Sequence, residues 1–204
     1  MINLTQSLSQ LYKAIPRGSY GLLSVGVMLL GNLIAIFSFP GYSILDYNIS
    51  HLALSPGGIY FNLSLIISGL FAIPFNINLG KAVDGENVNN NLKKRVVSIS
   101  IVDSIALSLI GVFPAYPENL VILTIHGLLA LIFFVSTTII FLLYGYLFLK
   151  SLKFVRVQAY LSFIVAIIIC IYMTLRWSIL EWIAFFGIMI SVFYTSIFLL
   201  YKKY

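Results

Sequence analysis

The sequence predicts an all-α integral membrane protein of six transmembrane helices with both termini in the cytoplasm. Three observations predict it: the composition, the length of the apolar runs, and the placement of basic residues between them. Of 204 residues, 61% are hydrophobic and only 9% charged, with a mean hydropathy of +1.05, whereas soluble domains carry about a quarter charged residues. Lipid is therefore the solvent for most of the chain, and its backbone polar groups must be satisfied within helices or a closed barrel. The apolar runs are about 17 to 25 residues long, which suits helices; barrel strands would alternate over roughly 10 residues.

The first run, near Tyr20 to Phe39, follows a polar, weakly amphipathic stretch (MINLTQSLSQLYKAIPRG). That stretch lacks the basic-then-apolar order of a cleaved signal, so the first helix is expected to be retained. Further helices are expected near Tyr60 to Leu79, Val96 to Phe113 and Ile122 to Leu149, the last long enough to tilt or to project a turn into water. A short fifth helix near Tyr160 to Leu175 ends at Arg176-Trp177, and a sixth runs from Leu180 to Tyr201, so these two form a tight hairpin. Residues 1–204 read as one six-helix domain. The loop Lys81 to Arg95 (KAVDGENVNNNLKKR) reads as a flexible, Asn-rich connector.

Orientation follows from the basic residues. Lys13, Arg17, Lys81, Lys93, Lys94, Arg95, Lys150, Lys153, Arg156, Lys202 and Lys203 fall on one side, and Arg176 alone on the other. Cytoplasmic loops carry the excess of Lys and Arg, which places both termini inside. Tyr20, Tyr42, Tyr60, Tyr116, Trp177, Trp182, Tyr201 and Tyr204 fall near the expected interfaces. The net charge of +6 points to anionic headgroups and not to nucleic acid, because the basic clusters flank apolar runs. Cys170 lies inside an apolar run and reads as a small buried hydrophobe.

The few ionisable residues on the outer side are the candidates for chemistry. The first outer loop, Phe39 to Asn62, combines breakers, polar groups and apolar residues, and is expected to fold back over the bundle. Within it Asp46, Asn48, Ser50 and His51 face a common pocket in this reading, and Ser55-Pro56-Gly57-Gly58 makes a tight turn. His126, early in the fourth helix, is placed at the level of His51. A complete zinc site would need Asp46, Glu118 or Glu181 as further ligands, and no HxxxH or HExxH spacing occurs; no metal site and no cofactor is assigned. Arg176 and Glu181 bracket the last hairpin, the arginine suited to a lipid phosphate or carboxylate. Asp103 lies within the third helix, where a carboxyl is costly and faces the bundle, with Ser100 and Ser104 expected to hydrogen-bond it. Asn48-Ile49-Ser50 is a glycosylation sequon on the expected outer side; those at Asn62 and Asn3 fall in a helix and in the cytoplasm.

Three stretches, GYSILDYNISHLALSPGGIYFNLSLIISGL, LIGVFPAYPENLVILTIHGLLALIFF and LEWIAFFGIMI, resemble the prokaryotic membrane family called domain of unknown function 998. Gly111, Val112, Phe113 and Pro114, followed by His126, match its most specific element. The chain departs from that pattern at Glu118, displaced by four positions from the acidic residue often found after the Phe-Pro, and at Asp103, a usually small or apolar site. The family is similar in outline to eukaryotic Frag-type six-helix proteins of glycolipid-anchor remodelling. That likeness implies a role near lipids, in headgroup or acyl-chain processing, and no defined catalytic residues. The abundance of Ile, Tyr, Ser and Lys suggests an archaeal source.

Taken together, these features predict a multi-pass cell-membrane protein that binds or processes a lipid headgroup at its outer face, with membrane lipids as partners. Arg176 would hold an anionic group, His51 and His126 would act as acid and base, and Asp46 or Glu181 would orient them. Two other classes compete. One is a non-enzymatic assembly subunit, with membrane-protein partners or further copies of itself; the other is a proton-coupled transporter that uses Asp103.

Overall fold

A computed structural model describes residues 15–85 and 88–201. Asn3, Lys13, Lys202, Lys203 and Tyr204 lie outside the described residues, as do residues 86 and 87 of the Lys81 to Arg95 loop. The described chain forms six long helices, α1 (Ser19–Phe37), α2 (Gly58–Ala82), α3 (Asn90–Val112), α4 (Leu120–Lys150), α5 (Arg156–Leu175) and α6 (Ser178–Tyr201), and a short 3-10 helix, Ile49–Leu54. Each of the six is long and apolar enough to cross a bilayer.

Helix ends follow local capping more than hydropathy. The side chain of Asn89 accepts the backbone N–H groups of Asn91 and Leu92, so α3 begins at Asn90 and Lys93, Lys94 and Arg95 join its first turns. The stretch expected as a flexible connector up to Arg95 is thus helical from Asn90 onward. Asn119 caps α4 in the same way through Ile122 N. Arg176 closes α5 in the left-handed conformation, φ 58°, which turns the chain into α6 within two residues.

Each helix packs on its neighbours in chain order, and α6 returns to α1, so the six form a closed ring. The connections, short everywhere except residues 38–57, make neighbours antiparallel. Small residues set the closest approach: a Cβ added at Gly31 would collide with Ser64, and one at Gly69 with Ser108 and the backbone of Ser104. Between α1 and α2, Ser24 Oγ donates to the carbonyl of Ser68 at 3.0 Å and Ser68 Oγ to that of Ser24 at 2.8 Å. Outward surfaces carry exposed Leu, Ile, Val and Phe, as lipid contact requires. Cys170, expected to be buried, is exposed on that outer side of α5.

The ring has two chemically distinct ends. One, the basic end, gathers Arg17, Lys81, Lys93, Lys94, Arg95, Lys150, Lys153 and Arg156 at helix termini. The other, the loop end, is covered by residues 38–57. There Ile49, Leu52 and Ala53 are buried against Met28, Phe61 and Trp182, and Ser38 Oγ accepts the N–H of Gly57 at 2.8 Å.

Candidate functional site

A ring of six helices leaves space at its axis, and here that space is a cavity of about 190 Å³ with walls from all six helices and the 3-10 helix. Phe61, Leu107, Phe133, Phe185 and Met189 make its body apolar, and polar groups enter it at three depths.

At the loop end Glu181, in the first turn of α6, is 8% exposed. Its Oε2 accepts the backbone N–H of Ile49 at 3.1 Å, which ties the covering loop to α6. The Tyr172 hydroxyl is close by, and Arg176 is near enough for its charge to bear on the carboxyl. His126 is also buried and lines the cavity. Its Nδ1 lies 2.8 Å from the carbonyl of Phe113. A carbonyl only accepts, so Nδ1 carries the proton and Nε2 is the acceptor of the neutral ring. Phe113 sits at the exit of α3, and the Gly-Val-Phe-Pro element thereby orients the histidine that follows it.

That contact joins the end of α3 to the start of α4. The match to the family "Protein of unknown function (DUF998)" covers residues 22–197. The chain belongs to the DUF998 family. No curated protein and no solved structure matches it.

At mid-depth in this DUF998 chain, Asp103 Oδ1 lies 2.5 Å from Ser136 Oγ and accepts from Thr137 Oγ1 at 2.9 Å, both on α4. Ser100 and Ser104, expected as its partners, instead donate to the carbonyls of Val96 and Ser100. A helical serine with a carbonyl four residues back satisfies itself locally. Asn76 Nδ2 reaches Ser104 Oγ at 3.3 Å, and Ser191 Oγ, on α6 across the ring, is buried without a partner. Deeper, Tyr144 lines the cavity, and its buried hydroxyl, near Ser100, makes no hydrogen bond.

The outer cluster expected from the sequence divides. Glu181 and His126 share the cavity, while Asp46, Glu118 and Arg176 are exposed. Arg176 makes no ion pair among the described residues and donates through Nε to the carbonyl of Met173 at 3.0 Å. His51 is half-buried, set against the ring of Tyr47 at 5.6 Å and outside the cavity wall, which Ser50 joins instead. The two histidines therefore do not share a pocket, and among the described residues no three His, Cys, Asp or Glu side chains gather as a metal group. Asn48 caps the 3-10 helix with Oδ1 buried and unbonded, and Asn62 is buried in α2.

Sequence reasoning missed the covering loop's aromatic clasp. Tyr42 meets Trp182 edge-on at 6.1 Å and stacks on Tyr47 at 5.7 Å, and its hydroxyl donates to the carbonyl of Asn48 at 3.1 Å. Burial pushes the Tyr42 phenol up to about 12, with the Trp182 indole opposing and the Glu181 carboxyl adding. It also missed Thr137, Asn76, Ser191 and Tyr144, whose signal was a polar residue inside an apolar run.

Proposed function

We propose that this protein holds an amphiphilic lipid inside its bundle, tail along the central cavity and head between Glu181 and His126 beneath the covering loop, with the basic end in the cytoplasm. The observation that carries this reading is the cavity itself, apolar along its body and ionisable at its loop end. Sites for lipophilic ligands combine an apolar concavity with a few convergent polar groups. Buried ionisable side chains at membrane depth are functional by default because they are costly to keep.

Glu181 offers lone pairs to a hydroxyl or ammonium on the head, and His126 Nε2 offers another. Arg176, exposed at the same end, suits an anionic part of the same head. Processing of the head would use Glu181 and His126 for proton transfer, with His51 and Asp46 outside the reacting space.

Ala130 lies one helical turn below His126 on the cavity wall, so Ala130→Trp should block the cavity below the head. Native mass spectrometry of the protein released from native-lipid nanodiscs should show a retained amphiphile in the wild type and none in A130W, with matching thermal unfolding as the folding control. Absence of a retained amphiphile in the wild type, or equal retention in both proteins, would overturn the reading.

A further inference from the structure

The mid-depth group is a second polar station in the same cavity. Ten residues separate Glu181 from Ser191, and eleven separate His126 from Thr137, which at the helical rise puts it about 15 Å below the first. Its hydrogen bonding shows what it lacks. Ser136 Oγ has one proton but stands 2.5 Å from Asp103 Oδ1, 2.7 Å from the carbonyl of Ile132 and 3.1 Å from that of Phe133. If its proton goes to Ile132, as serine protons in helices do, the 2.5 Å contact needs a proton from the carboxyl. No lysine or arginine among the described residues forms an ion pair with Asp103, and a lone carboxylate in an apolar cavity is far more costly than a neutral one.

A neutral Asp103 donates through Oδ1 to Ser136 and accepts there from Thr137, which leaves Oδ2 as an acceptor without a hydrogen-bond partner among the described residues, on a residue that lines the cavity. Ser191, only 6% exposed, has a hydroxyl with no partner on the opposite wall at the same depth. The station thus presents one unmet acceptor and one unmet donor. A ligand hydroxyl satisfies both kinds of group; a hydrocarbon chain satisfies neither.

Resting on the proposal that the cavity holds an amphiphile, we infer that Asp103 and Ser191 form a second recognition site, selective for a ligand hydroxyl about 15 Å from the head bound at Glu181. The ligand class is then a hydroxylated long-chain amphiphile, not a plain acyl chain. The polar walls reject a plain chain because it leaves buried groups unpaired.

The test uses the full chain in nanodiscs and two probes, dodecylamine and 12-amino-1-dodecanol, which share head and chain length and differ by one terminal hydroxyl. The wild type should bind the hydroxylated probe roughly tenfold more tightly, the scale of one buried hydrogen bond. Asp103→Leu should bring that ratio near one. Ser191→Ala, a smaller change to the packing, should reduce the ratio by itself if D103L does not fold. Equal binding of both probes to the wild type, or an unchanged preference in D103L or S191A, overturns the second site while leaving the amphiphile reading in place. Failure of both probes to bind the wild type overturns the two together.

Discussion

The two ends of the ring handle charge in opposite ways. At the loop end Glu181 and His126 are turned inward, buried to within 8% exposure, and the loop closes over them through a backbone hydrogen bond and an aromatic clasp. At the basic end the charges point outward into water, and the ion pair found there, Lys153 with Asp84 at 3.4 Å, is exposed on both sides. What closes the basic end is apolar: Tyr144, Phe148 and Phe154 stack in sequence and Phe198 packs tilted against Phe154, with Ser151 Oγ donating to the carbonyl of Asp84 at 2.8 Å. Polar groups that are costly to bury line the cavity, and the basic groups sit at helix termini at the other end.

The sharpest way to break this contrast is to remove the inward charge. Glu181→Leu strands the buried N–H of Ile49 and should cost about 1–3 kcal/mol, the penalty of an unsatisfied buried donor. Glu181→Gln keeps an acceptor and should cost less. Unfolding in mild detergent measures the cost, and hydrogen exchange at the amide of Ile49 should speed up in E181L more than in E181Q. Equal protection of that amide in E181L and the wild type would mean that the carboxyl does not hold the loop.

How much of this was readable beforehand differs between the bundle and its interior. The helices were legible because lipid imposes long apolar runs whatever their neighbours, and errors fell where capping by Asn89 replaced hydropathy as the deciding force. The interior was not, because it depends on helical phase and on register between helices. Arg176 and Glu181 are five residues apart in LRWSILEW, yet the left-handed turn at Arg176 sends one side chain out and leaves the other in. Depth along the membrane, which the sequence does convey, put Asp46, Glu118 and Arg176 in the same plane as Glu181 and His126; it could not say which of them faced the axis. Asp103 was visible as a costly carboxyl, but its partners Ser136 and Thr137 are 33 and 34 residues away and meet it only through α3–α4 packing. The Ser136-Thr137-Thr138 run inside an otherwise apolar helix was the readable sign that α4 meets a polar group there.

A smaller effect is expected from the clasp. Tyr42→Phe removes the hydroxyl's bond to Asn48 and should cost about 1 kcal/mol while keeping the contact with Trp182. The pH response separates the hydroxyl from the ring. Because the folded phenol sits near 12 against an ordinary 10.0, folding favours its protonated form. Its contribution is complete below pH 10 and is lost as pH rises towards 12. The unfolding midpoint of the wild type should therefore fall over that window more steeply than that of Y42F. Parallel curves would remove Tyr42 from the clasp.

The smallest effect belongs to the basic end, where Asp84→Asn should leave the unfolding midpoint unchanged at neutral pH. The N–H of Gly85 and the ammonium of Lys153 hold the Asp84 carboxyl below its usual range, so any contribution is present at neutral pH and lost only as pH falls through that lowered value. The carboxyl is fully exposed, however, and water and salt screen it. The Ser151 bond is made to the backbone carbonyl of Asp84, so the substitution leaves it intact. A loss in D84N as large as that in Y42F, abolished by high salt, would show that charge and not aromatic packing closes the basic end, and the contrast between the two ends would fail there.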